Sequence, residues 1–471
     1  MAAYEAARFG QFKTGRFSFR LGRIAGIFFF PHSAGYLDGT PAARAAWGPQ
    51  ICGRGPDGRF CHDEVIWLLK NIEPTQAVEL LCALDVAAET ETVPLAGAFG
   101  RVSARQICAR IPSPPFDRSP YDGYAFRGED TLLASPESPV VLKITEEIPA
   151  GKAPRYAVGP GTAAKILTGA PIPEGADVTV KYETVSFTED TVTLTRPYRP
   201  GTDIVRAGED VAAGDVIIER GDVITAPLAG ILAGQGICEV EVFRRPTVAL
   251  ISTGSELIEP GSPLRPAAIY NSSAYMLAGY LAHHGAVPYS AGIVEDEPER
   301  IAAKIGQALE KSDMVVTTGG ASVGDYDWAV TAAERLGAKV LFWKVNMKPG
   351  GSIMAAEKGG KVILGLSGNP GAAVLGLLRI ALPYIRKLCG RSDIYPPEVQ
   401  VALRHDLKKP SPKTRILRGR LEVENGRALF SENEGQGNGA VLSLVGCDLL
   451  AEIPAGSPPL PAGTMVRAFR V

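Results

Sequence analysis

Five short stretches of this chain carry the residue types that phosphate chemistry needs, and each follows an apolar run. Gly254-Ser255-Glu256 follows PTVALIST, whose last residue is Thr253, and Glu295-Asp296 follows VPYSAGIV. Gly319-Gly320-Ala321-Ser322-Val323-Gly324-Asp325-Tyr326-Asp327 follows DMVVTT. Asn346-Met347-Lys348-Pro349-Gly350-Gly351 follows KVLFWKV, which holds Lys344, and Gly368-Asn369-Pro370 follows VILGLS. Glycine loops let backbone N–H groups approach phosphate, and a helix N-terminus, where Pro370 would fit, adds favourable partial charge. Glu256, Asp296 and Asp327 would repel one another unless they share a cation. Mg²⁺, a hard ion that takes carboxylate and phosphate oxygens, suits them, and Lys344 and Lys348 would add positive charge. Taken singly, each feature has a plainer role: a tight turn, a helix cap, a solvated lysine. Together they predict a site for a phosphate ester or pyrophosphate handled with a divalent metal.

The surrounding pattern says what holds these loops. PTVALIST reads as a buried parallel strand, and helix patterns over 272–284 and 297–312 alternate with VPYSAGIV and DMVVTT. KVLFWKV, VILGLS and a helix over 370–388 complete a doubly wound parallel sheet, whose ligands sit outside the carboxyl ends of the strands. Upstream, Pro74 and Thr75 open an amphipathic helix carrying Ala77, Leu80, Leu81 and Leu84. Residues 138–225 hold short alternating strands (VVLKI, AKILT, VTVKYETV, TVTLT) between Gly and Pro turns, a β-rich module. After Pro396, VQVALRHDL, RILRGRLEVE, LLAEIP and TMVRAFRV predict a small barrel or sandwich.

Length and composition bound the class. A chain of 471 residues implies three or four modules. With 49 basic against 51 acidic side chains it has no electrostatic footprint for nucleic acid. Its best candidate apolar segment, Ile24 to Phe30, is far too short to span a membrane. The seven cysteines have no C-x-x-C spacing and the five histidines no ligand spacing, which suggests free thiols in a reducing, cytoplasmic setting and no histidine metal centre. His283 and His284 fit a helix end. Residues 1–69 lack a sustained period and read as an extension, disordered or added by a mis-chosen start.

These stretches resemble the molybdopterin molybdotransferase family, which includes bacterial MoeA and the E-domain of gephyrin. The likeness runs from about residue 70 to 471 through SPYDGYAF (119–126), ILTGAPIPEGADVTV (166–180), RAGEDV (206–211), ISTGSEL (251–257), TTGGASVGDYDW (317–328), FWKVNMKPG (342–350) and GLSGNP (365–370). It implies a MogA-like doubly wound α/β domain over 245–392 and an elongated linking domain from 70–110 and 207–244. It also implies a β-rich inserted domain over 111–206 and a C-terminal β-barrel over 393–471. The implied activity inserts molybdate into adenylylated molybdopterin with Mg²⁺-dependent release of AMP. A homodimer is implied, with a molybdopterin adenylyltransferase and molybdoenzymes as further partners. By position, Glu256, Asp296 and Asp327 match the family's active-site acids and metal ligands. Asp122 and Thr168 match residues offered by the β-rich module of the other subunit, although Asp122-Gly123 is also a turn dipeptide. The pterin and its phosphate would lie on Thr253, Gly254, Gly319, Gly320, Ser322, Gly324, Asp325, Lys344, Lys348, Gly368, Asn369 and Pro370.

Three departures stand out. The family's KPGKP is here Lys348-Pro349-Gly350-Gly351-Ser352, its PGNPVS is Ser367-Gly368-Asn369-Pro370-Gly371-Ala372, and Asn271 stands where aspartate is usual. The first two predict an oxyanion pocket short of a lysine and a hydroxyl, with Arg415, Arg418 or Ser352 as candidates to compensate. Gly351→Lys with Ala372→Ser is then expected to strengthen it, unless Gly351 takes a positive φ. A tungsten-inserting paralogue and a non-catalytic pterin-binding scaffold are the alternative readings.

Overall fold

The computed structural model describes residues 69–320 and 328–471. Of the extension expected over 1–69, residues 1–68 lie outside the described residues, as do Ser322, Gly324, Asp325 and Asp327.

The strand-and-helix alternation beginning at Pro246 builds a seven-stranded sheet. Its order is Lys70–Ile72, Lys339–Val345, Met354–Lys358, Lys361–Leu366, Met314–Thr318, Thr247–Thr253, Val287–Val294. The five strands expected from the sequence run the same way, so their carboxyl ends share one edge. The sheet is not wholly parallel. Met354–Lys358, which the sequence reading missed, runs antiparallel to both Lys339–Val345 and Lys361–Leu366. Side-chain alternation shows both faces covered. Val248 and Leu250 pack with Leu277, Leu281 and Val374 on one face, and Ala249 and Ile251 with Ile301, Ile305 and Ala332 on the other.

The helix expected after Pro74 forms at Pro74–Cys82, preceded by the strand Lys70–Ile72, which pairs parallel to the Lys339–Val345 strand (Lys70↔Trp343, Ile72↔Val345). Residues 70–82 therefore pack with the α/β core rather than in the linking module: Ile72, Ala77, Val78 and Leu81 are buried beside Phe342, Leu378 and Tyr384. The helix expected over 370–388 is continuous but changes pitch, with α-helix at Pro370–Gly376, π-helix at Leu377–Ala381 and α-helix again at Leu382–Leu388. The π segment turns Arg379 toward the C-terminal module, where it pairs with Glu452 at 2.6 Å, both buried.

Elsewhere, Thr90–Pro94 pairs with Glu239–Phe243 and Ile107–Cys108 with Val216–Ile218, around a core of Ile218, Leu232, Val240 and Val242. A six-stranded sheet runs Val178–Lys181, Gly123–Phe126, Thr162–Ile166, Val140–Ile148, Thr191–Leu194, Ser186–Phe187. The strand expected over 178–185 stops at Lys181, because Tyr182–Thr184 is a 3₁₀ turn.

The C-terminal strands resolve the choice between barrel and sandwich. Thr414–Glu424 pairs with Arg427–Glu432 and with Leu449–Ile453, and Glu398–Leu403 and Met465–Arg470 complete a closed five-stranded barrel. The barrel's long strand is also paired to the sheet's loop edge: Met347 and Lys348 run parallel to Thr414 and Arg415.

Candidate functional site

Two adjoining clefts open along the edge where the expected strands end. The first, of about 350 Å³, is lined by Thr253, Glu256, Asp296, Gly319, Gly320, Gly368, Asn369 and Pro370, each a sequence candidate. Gly254 lies just behind it, its N–H bonded to the Val294 carbonyl at 3.2 Å. Gly319 is required where it stands. Its φ is +96°, and a Cβ there would lie 2.5 Å from the Thr253 carbonyl oxygen, so only glycine lets the two strand ends approach.

The first cleft is acidic on one wall. Burial, and then the charge of Glu256, push the Asp296 carboxyl above its ordinary value, against the pull of the Thr253 hydroxyl. Among the described residues no group of three or more His, Cys, Asp or Glu side chains could hold a metal, so the carboxylates present are a pair. The opposite wall offers helix N-termini. Asn271 caps the helix Ser272–His283, and Pro370 opens the next helix. Asn271 explains its own departure from aspartate. Its side-chain oxygen accepts from the Ser252 hydroxyl at 3.0 Å while its amide donates to Glu259 at 3.3 Å, and a carboxylate could not make the second bond.

The second cleft, of about 510 Å³, shares Ser367 and Asn369 with the first and is cationic. Lys344 and Lys348, both expected, meet Lys70 and Lys413, which the sequence reading missed. Ser352, Ala372 and Asn438 complete its wall. Trp343 organises two of the lysines, since the Lys70 ammonium sits 4.0 Å and the Lys344 ammonium 4.2 Å from its ring centre. Lys344 also takes φ +66°, a left-handed backbone that costs a lysine roughly 1–2 kcal/mol. Such strain is found where a side chain must be aimed.

The structure corrects the compensation expected from the arginines. Arg418 is fully buried, its guanidinium bonded to Gln436, Gly437 and Ala440. Arg415 donates to the Lys409 carbonyl. Neither lines the cleft. Arg418 instead holds the loop that brings Asn438, whose carbonyl accepts from the Ala372 N–H at 2.9 Å. The further cations that line this cleft are Lys70 and Lys413. A three-residue strand and a residue in a Ser-Pro turn gave the sequence no period by which to place them.

Asp122 and Thr168 meet each other but line neither cleft. The Asp122 carboxylate accepts from the Thr168 N–H and hydroxyl, each at 2.7 Å, and these bonds hold its pKa below the ordinary value.

Three family descriptions match the chain: the MoeA N-terminal region (domain I and II) over residues 72–236, the probable molybdopterin binding domain over 249–387, and the MoeA C-terminal region (domain IV) over 400–469. The chain is 36% identical over 400 residues to a protein of Bacillus subtilis named molybdopterin molybdenumtransferase, covering 84% of this chain and 93% of that one. A Staphylococcus aureus protein of the same name is 34% identical, over 80% of this chain and 90% of its own. A solved molybdopterin biosynthesis MoeA protein from Pyrococcus horikoshii superposes with TM-score 0.74 at 30% identity, covering 85% of this chain and all of that one.

Proposed function

The chain belongs to the molybdopterin molybdenumtransferase family, and on that premise we propose that it inserts molybdate into adenylylated molybdopterin with Mg²⁺-dependent release of AMP. One observation carries the reading: a carboxylate-walled cleft and a four-lysine cleft adjoin through Ser367 and Asn369. A phosphate-linked pterin, held beside carboxylates through a shared cation, and a tetrahedral dianion, held by lysines, need separate seats and must still meet. Two such clefts with a shared wall supply both.

In this reading the backbone N–H of Gly320 and the helix N-terminus at Pro370 bind the pterin's phosphate end, while the Gly319 N–H stays bonded to the Leu366 carbonyl. Lys344, Lys348, Lys70 and Lys413 attract molybdate, and Ser352 and Asn438 orient it by hydrogen bonds. Glu256 and Asp296 fit Mg²⁺, since one raises the other's pKa and the ion is commonly held by one or two carboxylates, water and phosphate oxygens. Asp327 is the proposed third acid. When bound, the ion supplies charge neutralisation at the departing phosphate. Asp122 and Thr168 are proposed to act from a second copy in a homodimer, because they line neither cleft of their own chain.

The test is turnover by the full chain given adenylylated molybdopterin, Mg²⁺ and molybdate. AMP release together with a product that activates a metal-free molybdoenzyme is expected, and tungstate run in parallel reports the preferred oxyanion. Tight pterin binding with no AMP released under any divalent metal would leave a pterin-binding scaffold instead.

A further inference from the structure

A third cavity lies away from both clefts, between the loop at Gly100–Val102, the end of the helix Ser272–His283 and the segment after Leu388. It measures about 210 Å³. Among the described residues its charged and titratable lining is basic throughout: Arg101, Arg244, Arg245, Arg391, His283 and His284, with the Cys389 thiol between them. Three of the arginines are neutralised, Arg101 by Glu91, Arg244 by Asp313 and Glu89, and Arg391 by Asp393. Arg245 makes no ion pair among the described residues.

One buried side chain of the lining, His284, and one beside it, Arg386, have polar atoms without hydrogen-bond partners. His284 is 9% exposed and its Nε2 has no hydrogen-bond partner. Arg386, 7% exposed, sits close enough for its charge to act on both His284 and Cys389, and its Nε and Nη1 donors are unmet. A buried guanidinium with two idle donors is costly unless something accepts from it. Native interiors rarely leave such groups alone.

We propose that this cavity binds a phosphate-sized oxyanion, either inorganic phosphate or the phosphate group of an ester, held by donors from His284 and Arg245 and by the nearby charge of Arg386. The chemistry follows from the lining. A tetrahedral dianion presents acceptors on several sides, and the cavity offers donors and no carboxylate among its described residues. The site stands apart from the proposed reaction, since it shares no lining residue with either cleft. The groups facing His284 fit an empty anion site. Burial first, then Arg386, His283 and Arg391, depress it to about 4, and Asp393 is engaged by Arg391. An arriving dianion would offset that repulsion and favour the imidazolium.

The experiment uses the full chain and follows histidine ring protons by NMR during titration, with His284→Asn assigning the resonance. Inorganic phosphate in one arm and AMP in the other are each added at saturation. The His284 titration is expected to move up by about one pH unit or more in at least one arm. Movement with inorganic phosphate identifies the free anion, and movement with AMP alone identifies an ester. Arg245→Ala, at an exposed position, is expected to raise about tenfold the anion concentration that gives half of that shift. Lys348→Ala, which changes only the four-lysine cleft, should leave it intact. A His284 titration unmoved in both arms, or moved in Arg245→Ala at the same anion concentrations as in the unaltered chain, overturns the proposal.

Discussion

A side chain at Gly351 would run into the Val345 carbonyl: an ideal Cβ there lies 2.5 Å from that oxygen, and 2.4 Å from the Met347 oxygen. The obstacle is therefore not the positive φ considered from sequence, which belongs to Gly350 (φ +88°). Gly351→Lys is expected to lower the thermal midpoint by several degrees, since backbone must shift to admit any side chain. It should not improve molybdate use. A stable Gly351→Lys protein with a lower molybdate requirement would mean that the loop relaxes easily.

Lys413 reaches the oxyanion cleft from the barrel and is exposed, so removing it should not disturb folding. Lys413→Ala is expected to raise the molybdate concentration needed for half-maximal turnover about tenfold, the weight of one charge-assisted contact. Lys70→Ala should act in the same direction and additionally release Lys344 from the shared Trp343 ring. Unchanged molybdate dependence in both variants would remove the oxyanion from this cleft.

Most of the sheet could be read from sequence because its strands are long apolar runs with chemistry at their ends. PTVALIST and DMVVTT became adjacent parallel strands, and Glu256, Asp296 and Gly319 came together as their positions implied. What escaped was short or borrowed. Lys70–Ile72 is too brief to show a period and gains its strand partner from residues about 270 positions away. MAAEK over 354–358 ends in two charged residues and has no β-branched residue, so only its two neighbours make it a strand. Lys413 owes its place to the pairing of the barrel with Met347–Lys348, a tertiary fact that no local pattern encodes.

Glu256→Gln is expected to raise the Mg²⁺ requirement of AMP release by about tenfold or more while leaving pterin affinity within about twofold. The amide removes one ligand charge and also the Glu256 repulsion that adds to burial in raising Asp296. Chelator treatment of the unaltered chain should stop turnover and Mg²⁺ should restore it. Full activity after exhaustive chelation would take the ion out of the reading.

His284 makes the fold sensitive to acid. Buried among cations it titrates at about 4, well below the unfolded value near 6.5, so the unfolded chain binds its proton first as pH falls. Its contribution is complete above about pH 6.5 and lost as pH drops toward 4, amounting to about 3 kcal/mol at most. In His284→Asn the slope of stability against pH across that window should flatten. An unchanged slope in denaturant titrations at pH 4.5 and 7 would assign the acid sensitivity elsewhere.

Arg379 and Glu452 form a buried pair between the π segment and the barrel, with Arg467 as a second partner of the same carboxylate. Burial pushes the Glu452 carboxyl up, but the two guanidiniums outweigh it and hold it below the ordinary range. Glu452→Gln leaves Arg379 uncompensated and is expected to cost about 3–5 kcal/mol. A midpoint shift of under about 1 kcal/mol in urea would show that water reaches Arg379 and replaces the pair.

The two-residue ladder between Met347–Lys348 and Thr414–Arg415 also limits how such a chain can be recombined. It sets Lys348 and Lys413 on either side of one hollow by strand register, and a register admits only whole-residue errors. A barrel grafted from a relative would need to carry its own Met347–Lys348 counterpart, or its lysine would arrive one residue out of phase. The barrel and that loop are thus a single heritable unit, although some sixty residues of chain separate them.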